Sequence, residues 1–132
     1  MKTYDFEQRL EEIQIALSRL FASPKSPAVS RLYEGNAVIL HLSWVVESHR
    51  DTTLDSRCAA TIHATRAQIE RYAGLDTAQR RTIQQRIGRR VRSGYDAGRR
   101  ASPRNEACAF DITLDDATFA ARADGDYFPG IG

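Results

Sequence analysis

Nine arginines and one acid, Asp96, fall between residues 78 and 104 of this 132-residue chain, giving that stretch a net charge of +8. Arginine is the side chain best matched to phosphate and carboxylate oxygens, since its planar fork donates several hydrogen bonds and keeps its charge. On a helix running from residue 77 to 93, Ile83, Ile87 and Val91 recur every fourth position as a narrow apolar stripe. At 100° per residue Arg81, Arg89 and Arg92 then project from the far side, with Gln85 among them. Arg80, Arg86 and Arg90 flank the stripe, where their stems can cover apolar surface while their heads stay in water. Such a band can neutralise several phosphates, with an affinity that falls steeply with salt, so RNA or DNA is one candidate ligand.

Three observations weigh against that reading. The whole chain uses seventeen arginines and two lysines, so arginine is its habitual base. Gly88, Gly94 and Gly98 each weaken a helix by up to ~1 kcal/mol relative to alanine, which predicts fraying near Ser93 and a loop beyond it. Tyr95 is the one aromatic of the block, where single-strand binders offer several stacking platforms.

The remaining reactive side chains are sparser. A symmetric closure of the loop 48–56 about Thr52 sets His41 opposite His63, with His49 nearby in the loop. Two imidazoles make a weak metal site, because a zinc centre takes three or four ligands in fixed geometry and no cysteine or carboxylate stands at ligand spacing. No metal and no cofactor is therefore expected. Asp111, Asp115, Asp116, Asp124 and Asp126 lack the regular oxygen spacing of a calcium loop. Asp115 and Asp116 instead suit a turn or the cap of "DATFAAR". Phosphate-binding glycine motifs and a G-x-S-x-G elbow are missing, so an enzyme is the least supported class. Cys58 and Cys108 are too few for a disulfide framework, and each reads as a small buried hydrophobe carrying a free thiol, unless folding brings the two together.

The elements that must position these groups follow from periodicity. Phe6, Leu10, Ile13, Leu17, Leu20 and Phe21 stripe a helix over 5–22, ended by the prolines of "SPKSP". Gly35-Asn36 separates two strand-like runs as a two-residue hairpin turn. In the second strand Val38, Leu40, Leu42, Trp44 and Val46 face one way. Ala37, Ile39, His41, Ser43, Val45 and Glu47 face the other. A third strand, "RCAATIHAT", turns Cys58, Ala60, Ile62 and Ala64 to one face, and the same loop closure pairs Trp44 with Ala60 and Leu42 with Ile62. Thr65 caps a short helix that Gly74 stops, Asp76 caps the arginine-rich helix, and residues 106–114 alternate as a fourth strand. The expected fold is a single α+β domain over 1–118, with helices packed on one face of the sheet and 119–132 as a flexible acidic and aromatic tail.

The stretch "LSWVVESHRDTTLDSRCAATIHATRAQIERYA", residues 42–73, resembles a domain-of-unknown-function family of small proteobacterial proteins, and the likeness extends over most of 5–114. The resemblance implies a bacterial, cytosolic protein and supplies no catalytic residue to carry over. The order helix–strand–strand–strand–helix also resembles double-stranded RNA-binding domains. It departs from them in its two-residue hairpin turn, too short to reach a groove, and in the extra helix before the basic one.

No apolar run approaches the ~18 residues of a membrane span, and the first residues break their apolar positions with acids, so cytoplasmic residence without membrane contact is expected. The leading expectation is a non-catalytic binding or adaptor protein of unknown partner. Self-association through Ala37, Ile39 and Val45 is an added expectation, since they make the outer face of the second strand more apolar than water requires.

Overall fold

The computed structural model describes residues 3–47, 56–101 and 108–120. Three helices and a four-stranded sheet make an α+β fold in the order α1 (Thr3–Ser18), β1 (Ala28–Glu34), β2 (Ala37–Glu47), β3 (Ser56–Thr65), α2 (Arg66–Ala73), α3 (Thr77–Ala101) and β4 (Cys108–Thr113). Phe6, Leu10, Ile13 and Leu17 are the buried stripe of α1. The helix stops at Ser18, short of the expected 22, where Arg19 and Leu20 bond back three residues to Ala16 and Leu17 at 3.2 and 3.1 Å. That tighter turn frees Phe21 to stack on Trp44, ring centres 4.0 Å apart and planes within 5°.

β1, β2 and β3 form an antiparallel meander. Gly35 takes φ +60 while no other residue type adopts positive φ among the described residues, as a hairpin turn with glycine first requires. The β2–β3 register differs from the expected one by two residues. Trp44 pairs with Cys58, Leu42 with Ala60 and Leu40 with Ile62. A slip of two preserves the faces, whereas a slip of one would exchange them. A bulge between Val45 and Glu47 then breaks the alternation beyond Val45, which still pairs with Arg57 and is 1% exposed, while Val46, expected on the core face, is 49% exposed. The Val45 N–H is held by Ser23 Oγ at 3.1 Å.

β4 pairs with β3 in parallel, so the sheet order β1-β2-β3-β4 mixes orientations. A parallel pair needs a long crossover, which α2 and α3 supply. Thr65 caps α2 reciprocally with Gln68, and Asp76 Oδ1 accepts from Gln79 N at 2.8 Å to start α3. α3 does not fray at Ser93 but runs to Ala101. Its glycines are places of close approach: a Cβ at Gly94 would lie 3.0 Å from the Phe110 ring and 3.1 Å from Ile112 Cγ2. Packing against β4 outweighs the propensity cost that predicted an early end.

The inward rows of the strands and the stripes of the helices join in one core that includes Ile62, Ile69, Tyr72, Ile83, Ile87 and Val91. It also takes in Phe119, fully buried in a 3-10 turn, Asp116–Phe119, so the packed unit extends past residue 118 into the expected tail. Residues 121–132 lie outside the described residues, as do His49 and most of its loop. The free-thiol reading of the cysteines is overturned, because Cys58 and Cys108 are register partners with Cα atoms 4.6 Å apart, joined by a disulfide.

Candidate functional site

α3 presents its arginines in two different settings. Arg80 and Arg86, expected to keep wet heads, are each only 8% exposed. Arg80 Nε donates to Glu12 Oε1 at 2.9 Å, and the same carboxylate oxygen accepts from the Tyr72 hydroxyl, which in turn accepts from Gln84 Nε2 at 2.8 Å. Burial pushes the Glu12 carboxyl up, but the Tyr72 and Arg80 hydrogen bonds and the charges of Arg80 and Arg9 outweigh it and leave its pKa below the ordinary value. Burial and then the Glu12 contact push the Tyr72 phenol up. Arg86 Nη1 donates to the Thr118 and Ala120 carbonyls at 3.0 and 2.7 Å, clamping the 3-10 turn. Arg90 Nη2 reaches the Thr113 carbonyl at 2.8 Å. Asp115 caps the turn as expected, and hydrogen bonds from the Thr118 hydroxyl and N–H hold its pKa down.

Arg81, Arg89 and Arg92 are exposed on the other side of the helix. They do not face open solvent alone. Together with Arg19, beyond the end of α1, they line a groove of about 700 Å³ between α1 and α3. Ile15, Ala16, Leu20 and Gly88 make its apolar part, and Ile15 is 48% exposed there. The groove is shaped by glycine, since a Cβ at Gly88 would sit 2.9 Å from Leu20 Cδ2. Arg92 is tied into the fold: its Nη2 donates to the Leu20 carbonyl, and its guanidinium lies 5.3 Å from the Phe21 ring centre. Arg89 also borders a second, shallower depression of about 400 Å³ with Arg86, Arg90 and Asp115. No aromatic ring lines either depression among the described residues. Tyr95 packs inward with Phe21, Trp44 and Phe110 instead.

The histidines are not cross-strand neighbours. The two-residue slip pairs His41 with Thr61 and His63 with Ile39. His41 Nδ1 lies 3.3 Å from Thr61 Oγ1, and His63 Nε2 lies 3.8 Å from Asp111 Oδ2. No group of three potential metal ligands occurs among the described residues. Of the outer-face set, Ala37 and Ile39 are half-buried on the sheet surface and Val45 is buried.

A family model described as "Protein of unknown function (DUF3022)" matches residues 10–115. The chain belongs to the DUF3022 family. The match covers α1 from Leu10, the whole sheet and all of α3, so the groove of this DUF3022 protein lies within it. No curated protein and no solved structure matches the chain. No helix among the described residues is long and apolar enough to cross a membrane.

Sequence spacing pointed to Arg81, Arg89 and Arg92 as one face. It missed Arg19 and the apolar wall, because which helix lies beside that face is a tertiary fact. The one available signal was Ile15, an apolar residue off the stripe of α1.

Proposed function

We propose that this DUF3022 protein is a non-catalytic binding or adaptor module whose ligand surface is the α1–α3 groove. The observation that carries this reading is the joining of Arg19, Arg81, Arg89 and Arg92 with the apolar Ile15, Ala16 and Leu20 in one concave surface. Ligand sites combine an apolar wall with a few convergent polar groups. Here those groups are cations, and the groove's acid, Glu12, is already engaged by Arg80 and Tyr72. The matching ligand is an acidic segment of a partner protein carrying apolar side chains, such as an amphipathic helix laid along the groove. The same reading has all three helices packed on one face of the sheet, supported by the single core that their buried stripes share with the strands.

Nucleic acid is the second reading, favoured by the continuation of the cationic surface from Arg89 to Arg90. The lack of stacking rings in the groove weighs against single strands. Fluorescence anisotropy with a labelled acidic amphipathic peptide, and separately with a labelled RNA duplex, decides between them at low and moderate salt. Peptide binding that the triple variant R19Q/R81Q/R89Q weakens at least tenfold supports the adaptor reading. Duplex binding lost in the same variant replaces it with the second, and binding of neither probe at low salt removes both.

Cytosolic residence remains our proposal, and it bears on the Cys58–Cys108 bond, since cytosolic pools keep most thiols reduced. Thiol alkylation in intact cells followed by mass spectrometry reads the pair's state. A fully oxidised pair counts against the cytosol.

A further inference from the structure

The two edges of the sheet are finished differently. β4 is tied to β3 by the disulfide and to α3 by Arg90. β1 pairs with β2 on one side and, among the described residues, with no strand on the other. Its sequence AVSRLYE holds no proline and no bulge, and its charged Arg31 is already engaged by Gln14 and Glu7 of α1. Leu32 and Tyr33 within it are 55% and 43% exposed.

The direction of its free hydrogen bonds follows from the hairpin. Glu34 and Ala37 flank the two-residue turn, so Glu34, Leu32 and Ser30 bond toward β2, and Tyr33, Arg31 and Val29 point their backbone groups outward. In agreement, the Val29 carbonyl accepts from Gln14 Nε2 at 3.2 Å.

We propose that β1 pairs antiparallel with β1 of a second copy, across a twofold axis at Leu32, to make one continuous eight-stranded sheet. The register is fixed by exclusion. A twofold at Arg31 sets two guanidinium groups opposite each other, and it needs the Val29 carbonyl that Gln14 holds; a twofold at Ser30 needs that carbonyl too. A twofold at Tyr33 draws Gly35 of the turn into the ladder. With the axis at Leu32, Arg31 of one copy bonds through its backbone with Tyr33 of the other, twice over, and Val29 keeps its Gln14 partner. Leu32 then meets Leu32 at a close pair, and Ile39, its neighbour on β2, extends the apolar contact on each side. The exposed leucine, the half-covered Ile39 and the unpaired edge thereby share one explanation, independent of what the groove holds.

Sedimentation at tens of micromolar should show a species of twice the 14.8 kDa chain mass; a monomer at that concentration overturns the proposal. Mild oxidation should cross-link L32C to itself, since close pairs bring Cα atoms to about 4.5 Å. S30C should stay uncrosslinked, because its two copies stand about 13 Å apart along the strands. Cross-linking of both variants equally, or of neither, rejects the register. L32E should weaken the dimer at least tenfold with an unchanged far-ultraviolet spectrum, and undiminished dimerisation of that folded variant also rejects it.

Discussion

Arg80 and Arg81 are neighbours in the chain and opposites in the fold, and Arg86 and Arg89 repeat the contrast one turn on. Arg80 and Arg86 lie almost wholly inside, each donating to acceptors fixed by other elements: Glu12 of α1 in one case, the carbonyls of the 3-10 turn in the other. Arg81 and Arg89 stand at the rim of the groove. The charge is the same in both pairs, and what differs is the surroundings that receive it. A buried guanidinium is stabilising only where acceptors already await it. Two of the eight arginines of α3 are therefore architecture, and a count of cations overstates the surface on offer to a ligand.

The contrast breaks most visibly at Arg86. Replacing it by alanine removes the charged donor from the Thr118 and Ala120 carbonyls and leaves a cavity under the 3-10 turn. Buried acceptors left without donors cost roughly 1–3 kcal/mol each, so the R86A variant should lose about 3 kcal/mol in urea unfolding. A loss below about 1 kcal/mol would place Arg86 with the rim arginines instead.

Arg80 comes next, at about 2 kcal/mol for R80A, since Glu12 keeps Tyr72 as a donor after the guanidinium is gone. Its sharper readout is pH. The Glu12 pKa lies below its ordinary value in the folded chain, so the stabilisation it contributes is complete above the unfolded value near 4.5 and is lost as pH falls through the folded one. In R80A the largest charge partner is missing. The acid limb of the stability curve should then become shallower than in the parent, and an unchanged limb would mean that Tyr72 alone sets the carboxyl.

How much of this was readable beforehand divides along the same line. Periodicity placed the stripe Ile83, Ile87 and Val91 inside and Arg81, Arg89 and Arg92 opposite, because helix geometry is local. Thr65, Asp76 and Asp115 were legible as caps for the same reason. The failures all concern partners distant in sequence. Nothing near Arg86 announces the carbonyls of residues 118 and 120. Alternation cannot reveal the bulge that leaves Val46 outside, and a loop of unknown shape left the β2–β3 register two residues out. Gly94 read as a weak point of the helix because propensity is visible in the chain, whereas the Phe110 ring it admits is not. The Cys58–Cys108 pairing was equally hidden, since it depends on β4 joining β3 in parallel.

The smallest effect is expected at Arg81 and Arg89, and its smallness is what separates a recognition surface from scaffolding. Exposed arginines contribute about 0–1 kcal/mol, so R81Q/R89Q should unfold within roughly that range of the parent. Arg92 is left out because its bond to the Leu20 carbonyl and its place over Phe21 make it part of the groove wall, and its loss would blur the comparison. If the double variant keeps its stability yet binds neither peptide nor duplex, the two classes of arginine are distinct in energy as well as in position. A loss near that of R80A would show instead that the rim, too, holds the fold together, and the groove would be only a seam between α1 and α3.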